Sequence, residues 1–280
     1  PVEGAYPYDV LILPHVMKLS DKDAEALDAF VQAGGLLIAT GYSGALSPDG
    51  KARPRQAMQS SPVERFGEPI NAHGWTLDMD KASIKLPPGR MAVDALFFPV
   101  DARDGASTIL PFAPDQRFGP PEFSYAEPGK AARKDPGALI RAYGKGHAVH
   151  IPWLPDWLYY RDGLDAHREL FSALIGRYAP PPMLRLEGRG ALELMAMRQP
   201  STGKLLVHII NYTGQRDTHY ADPTLLHDLR LGVRGAAGST ATALVAGKTL
   251  AGRRRKGEPD YLSVDLPPVH SFEAVPIKLA

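Results

Sequence analysis

The chain contains no cysteine, and this absence removes several classes of chemistry. Disulfides, thiolate metal sites and a cysteine nucleophile are excluded, although the lack of cysteine does not by itself identify a compartment. A charge excess of one sign is also missing, because 32 lysine and arginine residues face 31 aspartate and glutamate residues. A balanced chain has no overall electrostatic attraction to nucleic acid or to an anionic membrane, so neither is expected as a partner.

Long apolar runs are missing as well. None approaches the length of a membrane span, and no secretory signal is visible. The chain starts at Pro1 rather than at a methionine, which suggests a processed chain or a fragment and leaves the localisation unknown. The 280 residues, of which 44% are hydrophobic, are enough for one large folded domain or two ordinary ones.

The first half of the chain is organised around residues 8–40. An unbroken apolar run, Val10–Leu13, is typical of a parallel strand that is covered on both faces. Ser20 occupies a helix N-cap position, Gly34 supplies the C-terminal stop, and Leu36–Ala39 is a second buried strand. The pattern predicts a right-handed parallel strand–helix–strand unit, with its first strand inside a mainly parallel sheet.

The loop after the second strand contains Ser43, which invites comparison with the nucleophile elbow of serine hydrolases. The match is poor, because the elbow needs a glycine two residues after the serine, where this chain has Ala45, and a helix that begins there. The carboxyl edge of an open α/β sheet is still the place where such sheets bind ligands. His15 and Tyr42 follow the two parallel strands, so both are expected at that edge.

The weakest patterns lie between residues 56 and 135. Ser61–Gly67 suggests one helical turn, and Trp75–Met79 alternates like an exposed strand. Two apolar runs, Ala95–Val100 and Thr108–Phe112, predict buried strands. The proline-rich segment Phe118–Pro136 predicts a long surface loop.

Clearer signals return with residues 138–151, which predict a β-hairpin around a glycine-rich turn. His147 and His150 are three residues apart on one strand and therefore point to opposite faces. This geometry makes the two histidines poor candidates for a shared metal site.

The end of the first half is marked by aromatic residues and prolines. Pro152–Arg161 predicts a dense aromatic loop, and Asp165 is expected to cap the helix that follows it. The triple proline after Ala179 predicts a boundary between a domain of residues 1–180 and a domain of residues 181–280.

The last hundred residues consist of short, often alternating segments, which predict an all-β sandwich. The expected strands are Leu192–Met197, Leu205–Tyr212, Leu229–Val233, Ala241–Val245, Tyr261–Leu266 and Phe272–Ile277. The basic run Arg253–Lys256 is interpreted as a solvated loop, and Asn211–Thr213 as a chance match to the glycosylation sequon. His208 is interpreted as a hydrogen-bonded residue of the sandwich.

These residues carry a family resemblance. YDVLILPHVMKLSDKDAEALDAFVQAGGLLIATGYSG (8–44) resembles the trimerisation domain of family 42 β-galactosidases, a class I glutamine-amidotransferase-like, flavodoxin-like domain without amidotransferase chemistry. GKGHAVHIPW, LYYRDGLDAHRELF, and LLVHIINYTGQ followed by LLHDLRL are similar to a related set of glycoside hydrolases. In such proteins a (β/α)8 barrel carries the glycosidase carboxylates, the amidotransferase-like domain follows, and a small β-sandwich ends the chain.

The resemblance implies an α/β flavodoxin-like domain over residues 1–180, lacking its first strand–helix unit, and an all-β sandwich over residues 181–280. No barrel precedes residue 8, and about 280 residues cannot hold a barrel of roughly 250 residues as well as both domains. The catalytic glutamates of the family are therefore not carried over to any residue of this chain.

Three functions follow as hypotheses. The first, which we favour, is a non-catalytic accessory and oligomerisation region of a β-galactosidase-like glycoside hydrolase, partnered by the catalytic barrel of the same parent chain and by further copies. The second is a stand-alone amidotransferase-like or serine hydrolase, which lacks both the cysteine and the elbow. The third is a pair of carbohydrate-binding modules. No catalytic residue, cofactor or metal ligand is assigned.

Seven candidate residues for substrate binding or an interface are expected on one side of the first domain: His15, Tyr42, Trp153, Asp156, Tyr159, Tyr160 and Arg161. Aromatic faces stack on sugar rings, and carboxylates and guanidinium groups bond hydroxyls. Aromatic residues and arginine are also enriched at protein interfaces, which is the role we favour. Asp156 and Asp162 are near each other in the sequence but do not establish the paired carboxylates that glycoside hydrolysis needs.

Overall fold

A computed structural model describes residues 8–114, 133–216 and 218–280, and the chain divides into two units, Pro1–Pro180 and Pro181–Ala280. The described parts are mainly β-structure in several separate sheets, with three α-helices. None of these helices combines the length and the apolarity needed to cross a membrane.

The strands of the first unit are β1 (Val10–Leu13), β2 (Leu36–Thr40), β3 (Val63–Phe66), β4 (Ile70–Asn71), β5 (Trp75–Asp78), β6 (Arg90–Val93), β7 (Leu96–Phe97), β8 (Val100–Ala102), β9 (Ser107–Pro111), β10 (Pro136–Tyr143) and β11 (Gly146–Ile151). Its helices are α1 (Asp21–Ala33), α2 (Pro155–Asp162) and α3 (Asp165–Tyr178), together with a 3-10 turn at Met79–Lys81.

The main sheet of the first unit has the strand order β1-β2-β11-β10-β9. β1, β2 and β11 are parallel, whereas β10 is antiparallel to both β11 and β9. All five residues of β2 are buried, as predicted. The predicted parallel pairing of β1 with β2 is confirmed, but β1 is the edge strand of the described sheet rather than an inner one, and Ile12 is 42% exposed.

Helix α1 begins and ends where the sequence predicts. The Asp23 backbone N–H donates to Ser20 Oγ over 3.1 Å, and the Ser20 hydroxyl donates to the Asp23 carboxylate over 2.6 Å. Gly34 ends the helix with φ 124°, a conformation that favours glycine. The apolar stripe of the helix, which includes Leu27 and Val31, is buried in a core shared with Leu37 of β2.

Residues 63–102 form three two-stranded antiparallel ladders, β3–β8, β4–β7 and β5–β6. The predicted helical turn at Ser61–Gly67 is therefore wrong, since Val63–Phe66 is a strand. The single strand predicted at Ala95–Val100 is divided into β7 and β8 around Pro99, which has no N–H to donate to a ladder. Most of the loop predicted at Phe118–Pro136 lies outside the described residues.

The hairpin of β10 and β11 confirms the prediction for residues 138–151. The predicted aromatic loop after it is wrong, because residues 155–162 form α2. Pro155 occupies the first turn of that helix, where a missing N–H costs nothing. Asp165 lies in the first turn of α3 rather than at the cap, which is Leu164 and makes no side-chain cap bond.

The strands of the second unit are β12 (Leu184–Glu187), β13 (Leu192–Arg198), β14 (Lys204–Asn211), β15 (Gln215–Arg216), β16 (His219–Tyr220), β17 (Arg230–Arg234), β18 (Thr240–Ala243), β19 (Lys248–Arg255), β20 (Glu258–Asp265) and β21 (Phe272–Lys278). An antiparallel sheet, β12-β17-β20-β19-β18, and a three-stranded one, β13-β14-β21, contribute side chains to one apolar core.

Two sequence interpretations concern this unit: the basic run and the glycosylation sequon. The basic run is not a loop, because Arg253–Arg255 belongs to β19 and Arg255 donates to the Glu187 carboxylate over 2.8 Å. Asn211 of the sequon is only 5% exposed, and its amide donates to the Thr224 carbonyl over 2.8 Å. A buried, bonded amide cannot accept a glycan, so this sequon is a chance match.

Candidate functional site

The carboxyl ends of β1, β2 and β11 meet at one edge of the main sheet, as parallel strands require. His15 follows β1 and Tyr42 follows β2. The Tyr42 backbone N–H donates to His15 Nδ1 over 3.1 Å, and the His15 backbone N–H donates to Thr40 Oγ1 over 3.0 Å. The structure thus brings these two sequence-predicted residues together. Because Nδ1 accepts a hydrogen bond, neutral His15 carries its proton on Nε2.

The backbone at this edge is strained and tightly packed. His15 has φ 53°, a left-handed conformation that is costly for a residue with a side chain. Gly41 has φ 59°, and a Cβ placed there would lie 2.2 Å from His15 Nδ1. Glycine at position 41 is therefore what allows the imidazole to approach the β2 loop.

Aromatic side chains close over this edge. The ring of Phe98 is 5.2 Å from the His15 ring and stacks at 5.2 Å on Tyr42, which also contacts Phe66 at 4.8 Å. Phe98 is itself buried. Burial lowers the pKa of His15, with Asp156 opposing the shift, and burial raises the pKa of Tyr42. Phe98 therefore covers part of this edge, where His15 and Tyr42 remain half-buried.

His150, the penultimate residue of β11, is fully buried, and its ring contacts Phe66 of this cluster. Its Nε2 lies 2.9 Å from the Gly41 carbonyl, and its Nδ1 has no hydrogen-bond partner in the described structure. Burial lowers the pKa of His150 to about 4. The imidazole is therefore neutral at pH 7, with Nε2 as the donor to Gly41. Asp156 Oδ1 is likewise buried without a partner.

Ser43 has a structural role. Its hydroxyl donates within the buried turn, 2.7 Å from the Thr40 carbonyl and 3.0 Å from the Leu13 carbonyl, and accepts from the Val16 N–H over 2.9 Å. These bonds tie the ends of β1 and β2 together. A hydroxyl occupied in this way is not a free nucleophile.

Trp153 does not join an exposed aromatic surface. It is fully buried, its indole N–H donates to the Gly137 carbonyl over 2.8 Å, and its ring lies 5.6 Å from the His167 ring. Its backbone carbonyl accepts from Gly41 N over 3.0 Å. Trp153 is therefore close to the sheet edge through its backbone, while its side chain belongs to the core.

Three exposed aromatic residues are on α2. Tyr159 is 41% exposed and Tyr160 is 82% exposed, while Trp157 is 49% exposed and lies 5.9 Å from the Tyr160 ring. We call the exposed side of α2 that carries Trp157 and Tyr160 the α2 aromatic face; Tyr159, two residues from Trp157, points away from that ring. The predicted group of seven residues is thus divided between a partly covered edge, the core and an exposed helix.

Arg161, at the end of α2, turns toward two carboxylates. Its guanidinium donates to Asp162 over 2.7 and 2.8 Å and to Asp94 over 3.2 Å, and Asp94 also pairs with His73. The hydrogen bonds from Arg161 lower the pKa of the Asp162 carboxyl. An ionised carboxylate bound to arginine is unsuited to donating a proton as a general acid.

These groups border a cavity of about 300 Å³ in the first unit. We call it the His167 cavity; His73, Trp75, Asp94, Leu158, Asp162 and His167 are among its lining residues. His167 is fully buried, its Nε2 lies 2.9 Å from the Ala92 carbonyl, and its Nδ1 has no hydrogen-bond partner in the described structure. Burial lowers its pKa, so it presents a neutral imidazole. Carboxylates, an imidazole and an indole in one cavity can bond and cover a polyhydroxylated ligand.

Sequence reasoning missed His73, Asp94, Phe98 and His167. The first three lie in the segment with the weakest patterns, and only the tertiary fold brings them to β2 and α2. His167 lies on the buried face of α3, where a histidine is ordinarily a core residue. No group of three or more histidine, aspartate or glutamate residues in the described ranges is arranged to hold a metal ion.

No protein-family model matches the sequence, and no curated protein matches it either. Solved structures do match the fold. Gan42B, a GH42 β-galactosidase from G. stearothermophilus, is 16% identical with a TM-score of 0.60, and the match covers 98% of this chain and 32% of that one. A β-galactosidase from Bacillus circulans sp. alkalophilus is 14% identical with a TM-score of 0.62, covering 96% and 33%.

A third structure, α-L-fucosidase isoenzyme 2 from Paenibacillus thiaminolyticus, is 16% identical with a TM-score of 0.69. That match covers 98% of this chain and 41% of the fucosidase. At these identities the likeness concerns the fold. This chain spans about a third of the length of the β-galactosidases that it resembles.

Proposed function

We propose that this chain is a non-catalytic accessory region of a β-galactosidase-like glycoside hydrolase. The observation that carries the proposal is the extent of the structural likeness, which takes in 96–98% of this chain but only about a third of each β-galactosidase. Asp162 is bound to Arg161, and Asp156 belongs to the partly covered edge. Neither supplies the flanking pair of carboxylates that glycoside hydrolysis requires.

We further propose that residues 1–180 are a reduced flavodoxin-like, amidotransferase-like domain and that residues 181–280 are a terminal β-sandwich. The parallel strands β1, β2 and β11, with α1 between the first two, support the first assignment. The two antiparallel sheets around one core support the second assignment.

The proposed role is assembly. The α2 aromatic face exposes the two large rings of Trp157 and Tyr160 to solvent, and aromatic residues are enriched in the cores of interfaces. In this account the face packs against a neighbouring copy, so that the parent is a homo-oligomer.

Assembly is tested by sedimentation of the parent enzyme and of its Trp157→Ala/Tyr160→Ala variant. We expect the variant to shift toward smaller species, because losing both rings removes apolar interface area. The matched control is Tyr8→Ala, which removes a 64% exposed tyrosine outside α2 and should leave the assembly unchanged. Identical sedimentation of the double variant and the parent would remove the α2 face from the proposal.

Carbohydrate binding is the second candidate, and the His167 cavity favours it. Its unpartnered Nδ1 and two carboxylates are hydrogen-bonding groups of the kind that recognise hydroxyls. Asp94→Asn should weaken binding of a bound saccharide without changing the fold, as measured by calorimetric titration. Unchanged affinity in that variant would argue against this candidate.

A further inference from the structure

The second unit contains a groove that the accessory role does not use. Its volume is about 440 Å³, and it lies against β14 and β21 beside residues 212–215 and 220–223. Its lining includes His208, Ile210, Tyr212, Gln215, Tyr220 and Phe272. We call it the Tyr220 groove. Ile210 of β14 pairs directly with Phe272 of β21, which places both side chains on the same face of the sheet.

Three aromatic rings in this groove are left in contact with water. Tyr220 is 79% exposed, Phe272 is 51% exposed and Tyr212 is 37% exposed. None of the three belongs to the apolar core of this unit. Clustered exposed rings that serve no packing purpose mark a surface that meets a ligand or partner.

Hydrogen-bonding groups lie beside the rings. The half-buried imidazole of His208 and the side-chain amide of Gln215 make no side-chain hydrogen bond within the described structure, so both can bond a ligand. The Glu193 carboxylate beside the Tyr212 hydroxyl raises the pKa of that tyrosine. No lysine, arginine, aspartate or glutamate is among the described lining residues, so the groove suits an uncharged ligand.

The walls of the groove are fixed in place. The Asn211 amide donates to the Thr224 carbonyl over 2.8 Å, and its carbonyl oxygen accepts from the Thr213 N–H over 3.0 Å. Gly214 approaches the opposite side of the loop so closely that a Cβ there would lie 2.1 Å from the Ala221 carbonyl oxygen. A groove built before the ligand arrives loses less entropy on binding.

We propose that the Tyr220 groove binds a neutral sugar unit of an oligosaccharide. A pyranose ring has a C–H face that covers an aromatic ring and a rim of hydroxyls that need donors and acceptors. Tyr220 and Phe272 supply the ring faces, while His208 and Gln215 supply the rim contacts. The groove's volume falls within the range of small-ligand sites. This assignment gives the second unit a ligand of its own, in addition to any role in assembly.

The test is binding of lactose, cellobiose and galactotriose to the 280-residue chain, followed by saturation-transfer NMR and calorimetric titration. We expect saturable binding of at least one saccharide and a loss of affinity of about tenfold or more in Tyr220→Ala, the equivalent of one stacked ring. Tyr220→Phe should keep most of the affinity, because the ring remains, and His208→Ala should weaken binding.

The matched control is Tyr160→Ala, which removes an 82% exposed tyrosine from α2 in the first unit. It should leave the affinity unchanged. Lack of saturable binding, equal affinity in Tyr220→Ala and the unaltered chain, or binding of phenol but of no saccharide would each overturn the proposal. The outcome is independent of the accessory role, because sugar binding at Tyr220 requires neither a catalytic barrel nor hydrolysis.

Discussion

The carboxyl edge of β1, β2 and β11 and the His167 cavity use similar residue types in opposite ways. At the edge, the Tyr42 backbone is hydrogen-bonded to the His15 ring and Phe98 packs on both rings, so the protein partly fills its own sheet edge. At the cavity, His167 and two carboxylates border open space. The comparison teaches that the usual ligand position of an open α/β sheet can be partly closed by inserted ladders, with accessible polar groups displaced to a neighbouring helix.

The largest difference in stability is expected when a buried tryptophan and an exposed one are each replaced with alanine. Trp153→Ala should lower the free energy of unfolding by about 3–5 kcal/mol, because it empties a fully buried site and leaves the Gly137 carbonyl without its donor. Trp157→Ala, the matched change at a 49% exposed site, should cost less than about 1 kcal/mol. Urea titration measures both, and equal losses would show that Trp153 is not a core residue.

Lowering the pH should destabilise the protein through its buried histidines. The folded-state pKa of His150 is about 4, below the value near 6.5 of an unfolded histidine, so the unfolded state binds the proton first. Stability should fall as the pH drops from 6.5 toward 4, by roughly 3 kcal/mol from this residue. His15 and His167 shift in the same direction and should add to the loss.

Urea titrations between pH 7 and pH 4.5 on the unaltered chain and on His150→Gln measure this effect. The glutamine side chain keeps an N–H for the Gly41 carbonyl and does not titrate, so the variant should show a shallower decline. Parallel curves for the two proteins would contradict a neutral, buried His150.

Two glycines allow the close approach of Gly41 to His15 to be separated from the effect of backbone strain. Gly41 and Gly163 have similar backbone conformations, with φ 59° and φ 65°, but only Gly41 has neighbours where a Cβ would be placed. Gly163→Ala should cost about 1 kcal/mol from backbone strain alone. Gly41→Ala should cost about 1–3 kcal/mol more, because the new methyl displaces His15. If thermal unfolding shows the same loss of stability for both variants, the contact between position 41 and His15 is not tight.

The smallest change in stability is expected at the His167 cavity. Arg161→Met removes solvent-exposed ion pairs with Asp94 and Asp162, which contribute little to folding. The unfolding midpoint should stay unchanged within error, while the pKa of Asp162 should rise toward its ordinary value, as followed by NMR titration. A large drop in the unfolding midpoint would show that Arg161, like Trp153, contributes strongly to folding stability.

Local signals in the sequence predicted much of this fold. Ser20 and Gly34 mark the ends of α1, the apolar run at Leu36–Ala39 marks a buried strand, and the hairpin around residue 144 is read from its glycines. These features depend on a few neighbouring residues. The helix at Pro155 was missed because a proline followed by aromatic residues resembles a loop, although proline fits the first turn of a helix.

The candidate site was less accessible to sequence reasoning. His15 and Tyr42 follow strands whose pairing was predicted, so their proximity could be expected. Asp94 meets Arg161 across 67 positions of sequence, and Phe98 reaches Tyr42 through ladders of two to four residues that leave no strong periodic pattern. Such contacts arise from tertiary packing, which single-sequence patterns do not encode.

The accessory role itself is tested most directly by hydrolysis. The 280-residue chain and the full-length parent should be compared on a panel of aryl β-galactosides and α-fucosides at equal molar concentration. The account predicts turnover by the parent and none above background by the chain alone, because Asp94 and Asp162, the two carboxylates of the His167 cavity, are both paired with Arg161. Turnover by the chain at a rate near that of the parent would contradict it.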